Sequence, residues 1–454
     1  DLVFYDNIEY FLQEYVAWEK TYTSQEGALK TFVVRVLAAG LAFGVQVFLA
    51  RSLAMGEYGI YVTFWTWMMV INLVAVFGFS ESSLRFLPRY IQRKQHHWAM
   101  GFLKTGYLFT VFGALFLGII GLVLLWVLKD LVAPSHLIPL MIVAIGLPIM
   151  ALELYLEGVS RAFGWYMLTT IPGYVVRPLF LAIGVFAILQ LGITPDAAMV
   201  LALVIIVTIG IVLFQSAIIW FRIKKLFGRM QKASTKKLWV KSSLPLMLVA
   251  GVDEMYVWSD ILILSFLVSA PEVAIYFAAQ RSLSLASFIQ YAFMMVSARQ
   301  FSLANAMRDR AELQRRVSSA TKWTFWMSVP AVLAILVVGY PLLAMFGAGF
   351  TSGYIVMFVL GAGLIVKASV GQATDLLVIM GHQRTNFWVS ATGLVFNIVL
   401  SVILVPGYGI IGAAIATSIT HVLRAVAMTI LVKKLTGLWV LIDAVPPFKP
   451  SFKS

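Results

Sequence analysis

Residues 197–221 read AAMVLALVIIVTIGIVLFQSAIIWF, without an acid or a base, and Arg222, Lys224 and Lys225 follow at once. As a helix rising 1.5 Å per residue, that run reaches roughly 37 Å, more than the roughly 30 Å hydrocarbon layer of a bilayer. Similar runs fall at 28–54, 58–80, 100–128, 137–160, 168–190, 196–221, 242–268, 272–298, 322–346, 352–379, 385–405 and 409–432. The whole composition agrees. Of 454 residues, 61% are hydrophobic and 12% charged, where a soluble domain is roughly half apolar and a quarter charged. Mean hydropathy is +0.92. The expected fold is all-α: a polytopic membrane protein of about 12 transmembrane helices. The first run follows polar and aromatic sequence and lacks a small-residue cleavage site, so it reads as a span, not a cleaved signal. Disorder, a coiled coil and an ordinary soluble enzyme are excluded. With no cysteine, so are disulfides and thiolate metal sites.

The net charge of +14 is distributed by side. Connections 81–99, 160–167, 222–241, 299–322 and 380–385 hold nearly all the Lys and Arg between spans, and the alternate connections hold only Arg51 and Lys129. The positive-inside rule then puts the basic connections and both termini in the cytoplasm. Segment 222–241, with Arg222, Lys224, Lys225, Arg229, Lys232, Lys236, Lys237 and Lys241, serves as a topology determinant facing anionic headgroups, and the charge does not call for nucleic acid. The expected organisation is 1–27, an amphipathic cytoplasmic segment; 28–221, a first six-helix lobe; 222–241, a basic linker; 242–432, a second six-helix lobe; and 433–454, a cytoplasmic tail. In the first segment Phe4, Ile8, Phe11, Leu12 and Tyr15 recur at helical spacing among acids. It is expected to lie against the cytoplasmic face near 222–241.

An internal repeat supports two lobes. Gly56-Glu57-Tyr58-Gly59-Ile60-Tyr61 matches Pro271-Glu272-Val273-Ala274-Ile275-Tyr276, and Ser83-Leu84-Arg85 then matches Ser297-Ala298-Arg299 at nearly equal distance. Six spans per lobe make the repeat parallel, an architecture suited to alternating access with a site between the lobes.

Two stretches carry a family resemblance. Gly393-Leu394-Val395-Phe396-Asn397-Ile398-Val399-Leu400 leads into Val405-Pro406-Gly407-Tyr408-Gly409-Ile410-Ile411-Gly412-Ala413-Ala414-Ile415-Ala416-Thr417. With Gly56–Tyr61, this resembles the polysaccharide (Wzx-type) flippases of the multidrug/oligosaccharidyl-lipid/polysaccharide exporter superfamily. By its residues the stretch is scaffold: a tight turn, then small residues for close helix packing. Gly40 and Gly44 in the first run are read the same way. The resemblance implies a flippase that moves an undecaprenyl-pyrophosphate-linked oligosaccharide across a bacterial inner membrane. Polysaccharide assembly enzymes would be its partners. The drug/cation antiporters of the same superfamily are the competing reading.

No P-loop, His-Glu-x-x-His or nucleophile elbow occurs, and the five histidines show no ligand spacing, so no enzyme chemistry, cofactor or metal is expected. A membrane glycosyltransferase would need a long outer loop, and none is seen. The informative residues are charges inside the runs, which cost about 2.5–3.5 kcal/mol each and so face a cavity or a partner. Arg177, Arg281 and Lys367 lie near mid-span, and Arg35 and Arg424 nearer the cytoplasm. These five are the expected anion-binding set, since guanidinium offers a fork to pyrophosphate oxygens. Asp253, Glu254 and Asp260 in the seventh run, Glu153 and Glu157 in the fourth, and Asp375 in the tenth are the expected coupling or gating acids. Coupling would use H⁺ or Na⁺. Glu153, Glu157 and Arg161 form a ladder at i, i+4 and i+8, and pairing that merely locks the lobes is its alternative.

Overall fold

The computed structural model describes residues 25–227, 235–287, 290, 297, 301, 304 and 309–442, with side chains from residue 36 onward except that of Tyr166. The amphipathic segment expected at 1–27 falls almost wholly outside these residues, as do 228–234 of the basic linker and most of the tail. Among the described residues there is no strand.

The first half of the chain forms α1 (Gln25–Ser52), α2 (Met55–Ala75), α3 (Phe79–Gln92), α4 (His96–Leu128), α5 (Pro134–Ala162), α6 (Tyr166–Ile171), α7 (Arg177–Gln190) and α8 (Ala197–Phe227). The second half forms α9 (Lys236–Leu267), α10 (Ala270–Ser284), α11 (Arg310–Val337), α12 (Gly339–Phe346), α13 (Tyr354–Ala368), α14 (Ala373–Ile379) and α15 (Gln383–Thr436). α15 is two helical runs that meet at Gly409, whose φ of 55° and ψ of −140° break the helix just after Pro406. The turn expected at Pro406–Gly409 is this break. Between α2 and α3 the helix is interrupted at Phe77 and Gly78, both at positive φ. The basic connection read as 81–99 is therefore helical as far as Gln92.

Eight helices among the described residues are long and apolar enough to cross a membrane. Twelve were expected, a number these residues do not test, since the eighth expected run, 272–298, is described only in part. The two runs of α15 count as one. α9 carries Lys236, Lys237, Lys241, Asp253, Glu254 and Asp260, and only Val36–Ser52 of α1 enters with its side chains. Gly40 and Gly44 do not pack as expected. A Cβ at either would meet nothing within 4 Å.

Among the described residues the halves meet at two levels, and α2 or α3 takes part in each. At the end remote from the basic connections, α2 lies directly on the start of α10. A Cβ on Gly59 would sit 1.8 Å from the Ala270 carbonyl oxygen. Tyr58 is fully buried there against Phe277 and Phe350, with centroids 6.3 and 6.0 Å away. Arg51, at the end of α1, donates to the carbonyls of Ala344 and Met345 in the last turn of α12, where orphan carbonyls favour a cation. Nearer the basic end, α9 is fixed to the first half. Ser243 Oγ donates to Ser82 Oγ at 2.8 Å, and Trp239 Nε1 donates to the Tyr90 hydroxyl at 2.9 Å. The Ser243 carbonyl lies so close to Gly78 that a Cβ there would be 2.3 Å from it.

The repeated acids mark equivalent places. Glu57 Oε2 accepts from the Ala197 amide at 2.9 Å, at the first residue of α8. Glu272 closes a capping box with Ser269, and its other oxygen lies near Gly409, where the final helical run starts. Each acid thus reaches the beginning of the last helix of its own half.

The contact at Gly59 gives a direct expectation. The natural chain has no cysteine, and a Cβ on Gly56 would lie 4.0 Å from Pro271. A Gly56→Cys/Pro271→Cys pair is expected to cross-link on oxidation, and Gly59→Ala in that background to suppress the cross-link by prising the helices apart. Undiminished cross-linking would show that the helices do not close on Gly59.

Candidate functional site

Between the halves, on the basic side of the Gly59 contact, lies a cavity of about 660 Å³. The residues that build its polar wall come from α3, α5, α7, α9 and α10. Arg177 is placed by a break in its own helix: Pro172–Val176 form a π-turn between α6 and α7, and Arg177 is the first residue after it. Such turns widen the backbone and redirect the next side chain. Arg177 pairs there with Glu153 of α5, and its guanidinium carbon lies 5.7 Å from the centre of the Trp65 ring. On the same helix face, Arg161 pairs with Glu81 of α3 at 2.9 Å and lies 3.8 Å from Glu157. The ladder read at 153, 157 and 161 is therefore opened: Glu153 is taken by Arg177, and Arg161 is shared with Glu81.

Arg281 faces them from α10, and its situation is different. No carboxylate pairs with it among the described residues; its Nε, like those of Arg161 and Arg177, is buried without a hydrogen-bond partner there. It is held by aromatic faces, with Phe277 4.9 Å and Trp258 5.4 Å from its guanidinium carbon. Trp258 is oriented in turn by its ring nitrogen, which donates to Glu254 at 2.8 Å. Cation–π contact supports a guanidinium but leaves its N–H fork unused. The cavity thus holds two cations among three acids on one wall, Arg161 and Arg177 with Glu81, Glu153 and Glu157, and a cation without an ion-pair partner among the described residues on the other.

The other expected cations do not join them. Arg424 donates to Ser390 at 3.1 Å and stacks 4.3 Å from the Tyr256 ring, whose hydroxyl meets His421 at 3.1 Å. Lys367, on α13, is exposed and makes no ion pair among the described residues. Neither lines the cavity. The side chain of Arg35 lies outside the described residues. Among the acids, Asp253 is exposed, and Asp375 stands in the first turn of α14 with no ion pair among the described residues.

Asp260 occupies a second polar centre, 2% exposed, inside the second half. It accepts from the Tyr276 hydroxyl at 2.6 Å, from Thr417 at 2.7 Å and from Asn397 at 3.2 Å. Ser401 donates to the Asn397 side-chain oxygen at 3.0 Å. The motif stretch read as scaffold supplies Asn397 and Thr417 to this carboxylate. Its amide and hydroxyl at fixed positions on two facing helical runs were the signal for it. Trp65, Trp258 and Glu81 carried no such signal, since an aromatic or an acid at the end of a run has many ordinary uses.

A family model described as "Polysaccharide biosynthesis protein" matches residues 24–298, more than half of the chain. This chain belongs to the polysaccharide biosynthesis protein family. Relatives and structures agree with that. A "Probable flippase AglR" of Haloferax volcanii is 29% identical over 180 residues, which are 38% of this chain and 37% of that protein. The match thus spans little more than a third of that relative's length. An inward-facing MATE transporter of the MOP superfamily superposes with a TM-score of 0.72 at 13% identity, covering 88% of this chain and 94% of its own. The lipid II flippase MurJ, in an inward closed conformation, does so with a TM-score of 0.66 at 17% identity, covering 89% and 87%. This family member is thus a multi-pass helical membrane protein with the MATE and MurJ fold.

Proposed function

We propose that the protein is a flippase for a polyprenyl-linked oligosaccharide. The unpaired Arg281 would receive the phosphate or pyrophosphate in the cavity between the halves. The undecaprenyl pyrophosphate carrier of a bacterial inner membrane, with both chain termini in the cytoplasm, is the form the sequence suggests, and other polyprenyl phosphates present the same anion. The observation that carries the reading is the bare guanidinium itself. A buried cation without a counter-charge is costly, and an anionic cargo supplies that charge only during transport. At about 660 Å³ the cavity is in the range of small-molecule sites, so it suits the anion and the first sugars, not a polymer. Arg281 counts against a drug/cation antiporter, the competing reading, which draws instead on Glu81, Glu153, Glu157 and Glu254 of the same lining.

The test is flux in proteoliposomes. Purified protein is expected to move a lipid-linked oligosaccharide between leaflets, and deletion in the native host to accumulate lipid-linked precursor while surface glycan is lost. Equal accumulation in host and deletion strain would refute the reading.

Asp260 is the acid we assign to H⁺ or Na⁺ coupling, because it is a buried carboxylate held by two hydroxyls and an amide and, unlike Glu153, by no cation among the described residues. Flux is expected to respond to an imposed Na⁺ or pH gradient, and Asp260→Asn to lose that response while substrate still binds. The substitution turns one accepting oxygen into a donor and costs about 1–3 kcal/mol for the stranded hydroxyl or amide. Gradient-independent flux in the unaltered protein would leave Asp260 a structural role alone.

A further inference from the structure

A second concavity lies on the opposite face of α5. Glu153, Glu157 and Arg161 point from α5 into the central cavity, whereas Tyr155, Leu156 and Val159 form the floor of an outward groove of about 550 Å³. α4 and α8 each pack on α5 but not broadly on one another, so the groove is the gap between them. Gly106 of α4 makes the floor possible: a Cβ there would lie 2.7 Å from the Tyr155 ring. The Tyr155 hydroxyl donates to the Leu103 carbonyl at 2.8 Å, so the floor offers no unmet polar group to a guest.

The rim has a different chemistry. Lys104 and Tyr107 of α4 stand on one side and Trp220 and Phe221 of α8 on the other. Lys224 places its ammonium 5.0 Å from the Trp220 ring. α4 is 33 residues long and α8 31, so both overrun a bilayer core of roughly 30 Å. Lys104 stands about 12 Å from the start of α4, and Trp220 about 10 Å from the end of α8, both at the basic end. That is the level of the headgroup boundary, where Trp and Tyr anchor and Lys meets phosphate.

We propose that this groove holds one anionic phospholipid of the leaflet at the basic end. Its phosphate would lie between Lys104 and Lys224, and an acyl chain would run over Tyr155, Leu156 and Val159. Three features select this occupant: two cations at headgroup depth, an apolar slot below them, and a floor of Tyr155, Leu156 and Val159 that stands between the groove and the central cavity, whose lining shares no residue with it. The last makes it a resident lipid and not cargo. It fills the space that α4 and α8 leave between them.

The experiment is native mass spectrometry of the full chain titrated with phosphatidylglycerol and with phosphatidylcholine of matched chains. The unaltered protein is expected to retain one phosphatidylglycerol in preference to phosphatidylcholine. Lys104→Gln and Lys224→Gln are each expected to weaken that retention about 5-fold, and the pair about 30-fold. Ala217→Phe, at an exposed position in the groove wall, is expected to expel the lipid with both lysines intact, its elution and melting unchanged. Equal retention of the two lipids, no loss in the double variant, or preference for polyprenyl phosphate over phosphatidylglycerol would overturn the proposal.

Discussion

Arg177→Ala is expected to reduce the amount of folded protein, not only transport, whereas Glu153→Gln/Arg177→Gln restores folding and leaves transport impaired. The side chains of the pair are 14% and 10% exposed. Removing one partner strands the other charge in a low-dielectric site, which costs about 3–5 kcal/mol. Total stabilities are about 5–15 kcal/mol, so the loss is a large share. Two neutral amides can still hydrogen-bond across the same gap, so the double variant keeps the contact without the charge. Thermal melting in detergent reads the first effect, and flux in proteoliposomes the second. If Arg177→Ala melts like the unaltered protein, Glu153 does not depend on it.

Arg281→Ala should do the reverse. No counter-charge is stranded when it goes, and the loss of its stacking on Phe277 and Trp258 is offset by relief of an uncompensated cation. The protein is expected to insert and melt normally. Transport is expected to fall about 10- to 150-fold, the worth of one hydrogen-bonded charge at about 1.5–3 kcal/mol. Arg281→Lys should recover part of the loss, since it keeps the charge but not the fork. Flux within about threefold of normal in Arg281→Ala would end the case for an anion site at this residue. The two arginines look equivalent in sequence and are separated by a single neighbour, the carboxylate of Glu153.

That difference marks what could be read from the chain alone. The membrane class, the helical fold and the family resemblance follow from long apolar runs, charge asymmetry and the Pro406–Thr417 stretch, because the bilayer permits few alternatives. Choosing Arg177 and Arg281 as cavity residues needed only the cost of charge in hydrocarbon. The same cost selected Lys367 and Arg424, which stand apart from the cavity. Cost says that a charge must face something but not what, and the answer depends on helix rotation. Glu81 was invisible as a partner because it falls just past the expected end of its span, where the chain continues as the helix α3 instead of a connection. Asn397 and Thr417 were seen, but their small-residue surroundings hid the carboxylate they hold.

The placement of α9 has a mechanical consequence. Trp239 and Ser243 tie one part of it to the first half of the chain, and Tyr256 and Asp260 tie another to the second. It is a beam clamped at both ends to bodies that must turn against each other if the cavity is to change its opening. Between the clamps lie Pro245, which deprives the helix of one backbone bond, and Gly251, which has no side chain to stiffen it. Any turning of one half against the other would load that interval, where the helix resists bending least.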